Sequence, residues 1–317
     1  MNKSSRARRC LLLLSMVCAT TALAQQPPET NSLPDNPGTG PYPAMKEQVA
    51  SLPDHVVYRP RDLAALGKLK LGVVAWGNGG CSADGAGSRF HLLELASHGY
   101  LVIANGRILS GPGAPPRAAT APPAAPTGGP PQLPPPATSA SQLNQAIDWA
   151  LQENKRRGSP YFGRIDPRQI AISGYSCGGL QAITAAADPR VKTAVLQNTG
   201  IFNEGTSPIP GMDMKKADLL KLHSPVLYIL GGPTDIAYAN GMDDFKRINH
   251  IPVAGANIAT GHGGTYYQPN GGPVAQVAVS WLQWQLRGDK QAAARFVGKN
   301  CGLCRDPAWT LEKKKLP

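Results

Sequence analysis

Six stretches of the chain are almost entirely apolar, and segments with helical spacing separate most of them. The apolar runs cover residues 69–76, 100–104, 170–172, 191–196, 226–230 and 253–258. They do not alternate with polar residues, so they read as strands covered on both faces, the hallmark of a parallel sheet. Val56-Val57-Tyr58 predicts an earlier strand, stopped at Pro60. Between residues 88 and 98, Leu92, Leu95 and Ala96 fall on one helical face, with Ser88 placed to cap the start and Gly99 to end it. Residues 141–157 carry the clearest helical period, through Leu143, Ala146, Ile147, Ala150 and Leu151, with Lys155, Arg156 and Arg157 before Gly158. Further helices are expected over 180–187, near 242–248, and around Val274, Val277, Ala278, Trp281 and Leu282. Strand–helix–strand repetition of this kind predicts an α/β fold: a mostly parallel central sheet, helices on both faces, right-handed crossovers.

The two ends and one internal stretch break the pattern. Residues 1–24 join a basic start (Lys3, Arg6, Arg8, Arg9) to a short apolar run and Ala22-Leu23-Ala24, which reads as a secretory signal peptide. A flexible tail is expected over 25–50, and a single domain over 51–317 that closes in a polar, cysteine-containing C-terminal tail. Inside that domain, residues 111–136 are mostly Pro, Ala and Gly with Arg117 as the one charge, a polyproline-like insertion. No other run is long and apolar enough to cross a bilayer, so no stable membrane insertion is expected. The protein is thus expected to be exported, periplasmic or extracellular.

The formal charge is +12, and loss of the leader leaves about +8. That balance can favour anionic polymers or an anionic envelope, but basic and aromatic residues are not interleaved as in a nucleic-acid site, and no nucleic-acid partner is expected. Four cysteines follow the leader: Cys81, Cys177, Cys301 and Cys304. Three pairings are open to them. Cys301 and Cys304 are near neighbours, which leaves Cys81 with Cys177. A zinc site is the rival, yet C-x-x-C occurs once only.

The chemistry centres on residues 170–180. An apolar strand runs into Gly174-Tyr175-Ser176-Cys177-Gly178, and a small-residue helix follows. This is a G-x-S-x-G match in the strand–turn–helix context that presents a nucleophilic serine, with glycines where side chains would collide with strand and helix. Asp235 follows the 226–230 strand, and His262 follows the 253–258 strand, so all three groups emerge at the carboxyl edge of the sheet. A serine hydroxyl is a weak nucleophile, His262 is placed to take its proton, and Asp235 to fix the imidazole tautomer. The other histidines lie within helices or ahead of strands. Stabilising the developing oxyanion takes two backbone N–H groups: Cys177 is expected to supply one and Asn78 the other, with Gly79 the alternative, from the loop Gly77-Asn78-Gly79-Gly80-Cys81. A Cys81–Cys177 disulfide would then brace both donors. Trp76, Gly79, Tyr175, Asn198 and Tyr266 are the candidate pocket residues.

With those residues in place, the chain over about 56–286 resembles the α/β-hydrolase superfamily, and within it the secreted dienelactone-hydrolase, chlorophyllase and cutinase-like polyesterase group. Trp76-Gly77-Asn78-Gly79-Gly80, Leu95-Ala96-Ser97-His98-Gly99-Tyr100 and Asp188-Pro189-Arg190-Val191-Lys192 carry the likeness beside the Ser, Asp and His. Trp76 stands where many members have His, and Asn78 where many polyesterases have an aromatic donor. The resemblance implies an α/β-hydrolase fold and a serine esterase acting on a small-molecule or polymer-linked ester, with no cofactor and no metal. A peptidase or acyltransferase using the same triad, or a non-catalytic binding protein on this fold, are the alternatives.

Overall fold

In the computed structural model, residues 32–116, 135–203 and 207–317 are described. The expected signal peptide and most of the Pro-rich insertion lie outside them. The described chain forms a nine-stranded sheet in the order β1-β2-β4-β3-β5-β6-β7-β8-β9. Its strands are β1 (Ala44–Val49), β2 (Leu52–Pro60), β3 (Leu71–Gly77), β4 (Tyr100–Asn105), β5 (Ile165–Tyr175), β6 (Thr193–Gln197), β7 (Val226–Leu230), β8 (Val253–Ile258) and β9 (Trp309–Lys314). From β4 through β8 all neighbours pair in parallel. Antiparallel strands close both edges: β1 and β2 on one side, β9 on the other.

The six apolar runs are the six parallel strands, and alternate residues on each feed two separate cores. Val73, Ala75, Ile170 and Ile172 pack on one face with α2 (Ala140–Lys155), α3 (Cys177–Ala185) and α4 (Tyr238–Arg247). On the other face, Val74, Trp76 and Ala171 pack with α1 (Arg89–Ser97) and α5 (Gly272–Arg287). Burial on both faces is why these strands contain no polar alternation. Leu143, Ala146, Ile147 and Ala150 form the buried stripe of α2, in the expected register. Gly99 and Gly158 follow α1 and α2 with φ of 83° and 84°, the left-handed geometry that ends a helix. Two short helices, α6 (Lys290–Ala293) and α7 (Gly302–Arg305), complete the C-terminal region.

Three expectations need correction. The 25–50 tail is not wholly irregular: within it β1 pairs along β2, from Ala44 opposite Pro60 to Val49 opposite Leu52. Its half-exposed edge position carries little apolar signal. The polar C-terminal stretch contains β9, whose Trp309 packs into the core while Lys313 and Lys314 are half-buried and donate to the backbone carbonyls of Phe296 and Lys246. Ser88 does stand at the start of α1, but its side chain makes no capping bond; it is buried instead.

Candidate active site

Ser176 occupies the one-residue turn between β5 and α3, with φ 54° and ψ −122°. A non-glycine residue held there is strained, and the surroundings impose that strain. Its N–H donates to Gln197 O at 2.9 Å, and Thr199 Oγ1 donates to Ser176 O at 2.8 Å. Glycines at the strand ends make the turn this tight. A Cβ on Gly174 would lie 2.3 Å from Gly178 O, and one on Gly178 only 2.1 Å from Gly77 C. The ends of β3 and β5 and the start of α3 therefore meet backbone to backbone.

Ser176, Asp235 and His262 come together as expected. Ser176 Oγ lies 2.9 Å from His262 Nε2, and His262 Nδ1 lies 2.6 Å from Asp235 Oδ1. Ser176 and His262 are half-buried while Asp235 is buried, so the series runs from solvent into the protein. Burial alone would push the Asp235 carboxyl up. The bond to His262 and the N–H groups of Gly231 and Ala237 outweigh it and hold the group below its ordinary value. Those amides donate at 3.0 Å to Oδ2 and 2.9 Å to Oδ1. The Tyr175 hydroxyl donates to His262 O at 2.8 Å, fixing the turn that carries the imidazole.

The glycine loop after β3 is equally constrained. Asn78 is buried, and its Nδ2 donates to Asn105 O at 2.6 Å and Ser82 O at 2.9 Å. The Asn78 side chain thus anchors the loop, leaving only its backbone to face the serine turn. Its amide nitrogen would stand 2.5 Å from a Cβ placed on Gly178, so this loop abuts the start of α3. Cys177 is the first residue of α3, where an N–H has no carbonyl within the helix to reach and the helix dipole is positive. The two segments are cross-linked: Cys81 and Cys177 form a disulfide with a Cα–Cα distance of 5.2 Å, and Cys301 and Cys304 form the second. All four thiols are consumed, which removes the thiolates that zinc binding would need.

The pocket assignment is not upheld for four of its five residues, Gly79 being the exception. Trp76, Tyr175, Asn198 and Tyr266 are all buried and lie beneath the site rather than around an opening. Tyr175 and Tyr266 have ring centroids 4.3 Å apart, and Trp76 and Tyr266 each contact His91. Aromatic bulk at the ends of apolar strands is used here as the floor of the site. Gly79 is half-buried against the Tyr175 ring, which a Cβ would approach to 2.4 Å. Asn198 instead holds the acid in place, its Nδ2 donating to Asp235 Oδ2 at 2.8 Å. His91 is fully buried, and desolvation lowers it to about 3, so it stays neutral and accepts from Gln197 Nε2 at 3.2 Å.

Sequence reading missed Gln197 and Thr199. Their signal was present, as a polar triplet, Gln197-Asn198-Thr199, directly following an apolar strand at the carboxyl edge. A cavity of about 670 Å³ lies elsewhere, where Ile183 and Thr184 of α3 face Met212 and Met214. None of Ser176, Asp235 and His262 lines it. Among the described residues no helix is long and apolar enough to cross a membrane, and no group of three His, Cys, Asp or Glu is placed to hold a metal ion. No family model matches the chain, and no curated protein matches it.

Proposed function

We propose that this protein is an exported serine hydrolase of the α/β-hydrolase type that cleaves carboxylic esters through an acyl-enzyme. The carrying observation is the unbroken series Ser176–His262–Asp235, at 2.9 and 2.6 Å, beginning on a serine held at positive φ. In this reading Ser176 Oγ attacks the ester carbonyl as His262 Nε2 takes its proton. Asp235 keeps the imidazole in the tautomer whose Nδ1–H points inward and stabilises the imidazolium that forms. The N–H groups of Cys177 and Asn78 receive the oxyanion, each such donor contributing about 2.7–4 kcal/mol to the barrier reduction. His262 then protonates the leaving alcohol and activates water for deacylation.

The experiment is labelling of the protein with a fluorophosphonate, read by intact mass, beside Ser176→Ala and His262→Ala. One adduct is expected on the wild type, none on Ser176→Ala, and strongly slowed addition on His262→Ala. Folded wild type that takes no adduct would overturn the reading and move a binding role ahead of it.

A further inference from the structure

The edge of the sheet opposite Ser176 carries a feature that ester hydrolysis does not use. The segment 61–70 leads into β3, and 153–168 runs from the end of α2 into the first residues of β5; β3 and β5 are neighbours in the sheet, so both segments lie at its amino edge. They are joined directly: Leu71 N donates to Arg164 O at 2.8 Å, Arg164 Nη1 to Leu63 O at 2.9 Å, and Lys70 Nζ to Gly163 O. Together they hold eight lysines and arginines against three carboxylates, Asp62, Glu153 and Asp166. Glu153 and Asp166 are occupied by Arg156 and Arg168. Lys68, Lys155 and Arg157 are exposed and form no ion pair among the described residues.

Cations at the end of a helix are ordinary, since they suit its dipole. The second observation is Phe162, which is 50% exposed in their midst. Its exposure is built in. Tyr161 turns inward against Trp149, with ring centroids 5.6 Å apart, and the next side chain on the turn is thereby directed out. The turn is fixed by Phe162 N donating to Ser159 O at 3.1 Å and Gly163 N to Asn154 O at 2.9 Å. Pro160 and Pro167, on either side, are exposed as well.

We infer that this face docks the protein on a lipid surface bearing anionic headgroups, with Phe162 entering the interface and Lys68, Lys155 and Arg157 among the phosphates. A half-exposed aromatic ring gains from an apolar phase, which a dissolved polyanion does not offer. A nucleic-acid strand is tracked by a groove with several stacking platforms, whereas this face exposes a single aromatic ring beside its cations. Docking in this orientation turns the Ser176 edge away from the lipid, because the six residues from Ile170 to Tyr175 alone span roughly 20 Å of strand. The inference rests on the patch and not on the chemistry of Ser176.

The test is co-sedimentation of the purified protein with vesicles of phosphatidylcholine alone and of phosphatidylcholine mixed with phosphatidylglycerol. Binding is expected only to the mixed vesicles and is expected to weaken with added salt. Each cation near such a surface is worth on the order of a fivefold change in binding. The triple variant Lys68→Gln, Lys155→Gln, Arg157→Gln should therefore bind about a hundredfold more weakly. Phe162→Ser should weaken binding at every salt concentration without changing its salt slope. All four substitutions are at exposed positions, so unchanged thermal midpoints accompany them. Absence of wild-type binding, equal binding by the triple variant, or a preference for heparin or single-stranded DNA with no effect of Phe162→Ser would each overturn the inference.

Discussion

The carboxamide of Asn198 bonds to the carboxylate of Asp235, Nδ2 to Oδ2 at 2.8 Å, on the side of the acid that His262 does not use. The same Nδ2 donates to Gly261 O at 3.1 Å, and Asn198 Oδ1 accepts the Tyr266 hydroxyl. Asn198 itself adopts a left-handed φ of 45°, which asparagine tolerates better than most residues. One side chain thereby ties the loop after β6 to the acid after β7 and to the turn after β8 that carries His262.

Asn198→Ala should leave the fold intact and impair the chemistry. A hydrogen bond to a charged group is worth about 1.5–3 kcal/mol, so kcat/KM on an activated ester should fall roughly 10- to 150-fold, mainly in kcat. Asn198→Asp should be worse, since it places a second carboxylate against Asp235. Wild-type kcat in the alanine variant would show that the bond has no part in positioning Asp235.

Cys81 and Cys177 are 96 residues apart in sequence, so their bond closes a long loop as well as joining the glycine loop to α3. Replacing both by alanine is expected to lower stability by about 2–5 kcal/mol and to leave a folded protein, because both cores remain. Turnover should drop further than stability, as the Asn78 and Cys177 amides lose their common brace. The upper limit is the roughly 100- to 1000-fold effect of losing a donor outright. Chemical reduction, verified by thiol counting and followed by ester turnover, tests this without mutation; an unaltered rate would remove the bracing role.

Legibility in the sequence followed burial. The six parallel strands could be read from residues such as Val73–Val74 and Leu227 because strands covered twice have no reason to carry polar positions. Ser176, Asp235 and His262 were legible because the carboxyl ends of such strands share one edge, so chain order alone brings the three together. β1 and β9 were not, since an edge strand is half-solvated and its pairing is decided by a partner far away in sequence. The pocket residues failed for a related reason. Trp76 and Tyr266 sit next to chemical groups along the chain, but which side of the backbone an aromatic takes depends on the layer packed against it, here α1 with His91.

Gly178→Ala should be among the most damaging single substitutions. The new Cβ would fall 2.1 Å from Gly77 C and 2.5 Å from Asn78 N, and backbone on both sides has no freedom to retreat. The expected effect is loss of labelling at Ser176 together with a stability decrease of several kcal/mol, measured by chemical unfolding. Gly80 gives the contrast. Its φ is 64°, yet a Cβ there meets nothing within 4 Å, so Gly80→Asn should cost about 1 kcal/mol or less and keep activity.

Asp244 of α4 links stability to pH, and it holds the loop after β6 at Ile201, three residues beyond Asn198. Its carboxylate is buried, with Oδ1 2.6 Å from Lys216 Nζ and Oδ2 accepting from Ile201 N at 2.8 Å and Tyr228 OH at 3.1 Å. Asp243, 3.0 Å from the same ammonium, is the other charge facing this cluster. Burial dominates over these partners and raises Asp244 from 3.8 to about 6. A group whose pKa is higher folded than unfolded binds its proton more tightly in the native state, so its contribution is complete below 3.8 and is lost as pH rises through about 6. The difference in unfolding free energy between wild type and Asp244→Asn should therefore shift against wild type by roughly 2 kcal/mol between pH 4 and pH 7, and level off beyond. Urea unfolding of both proteins at several pH values across that window measures it. A difference that stays flat, or that moves in favour of wild type as pH rises, would mean that Lys216, Ile201 and Tyr228 stabilise the anion at least as much as burial penalises it.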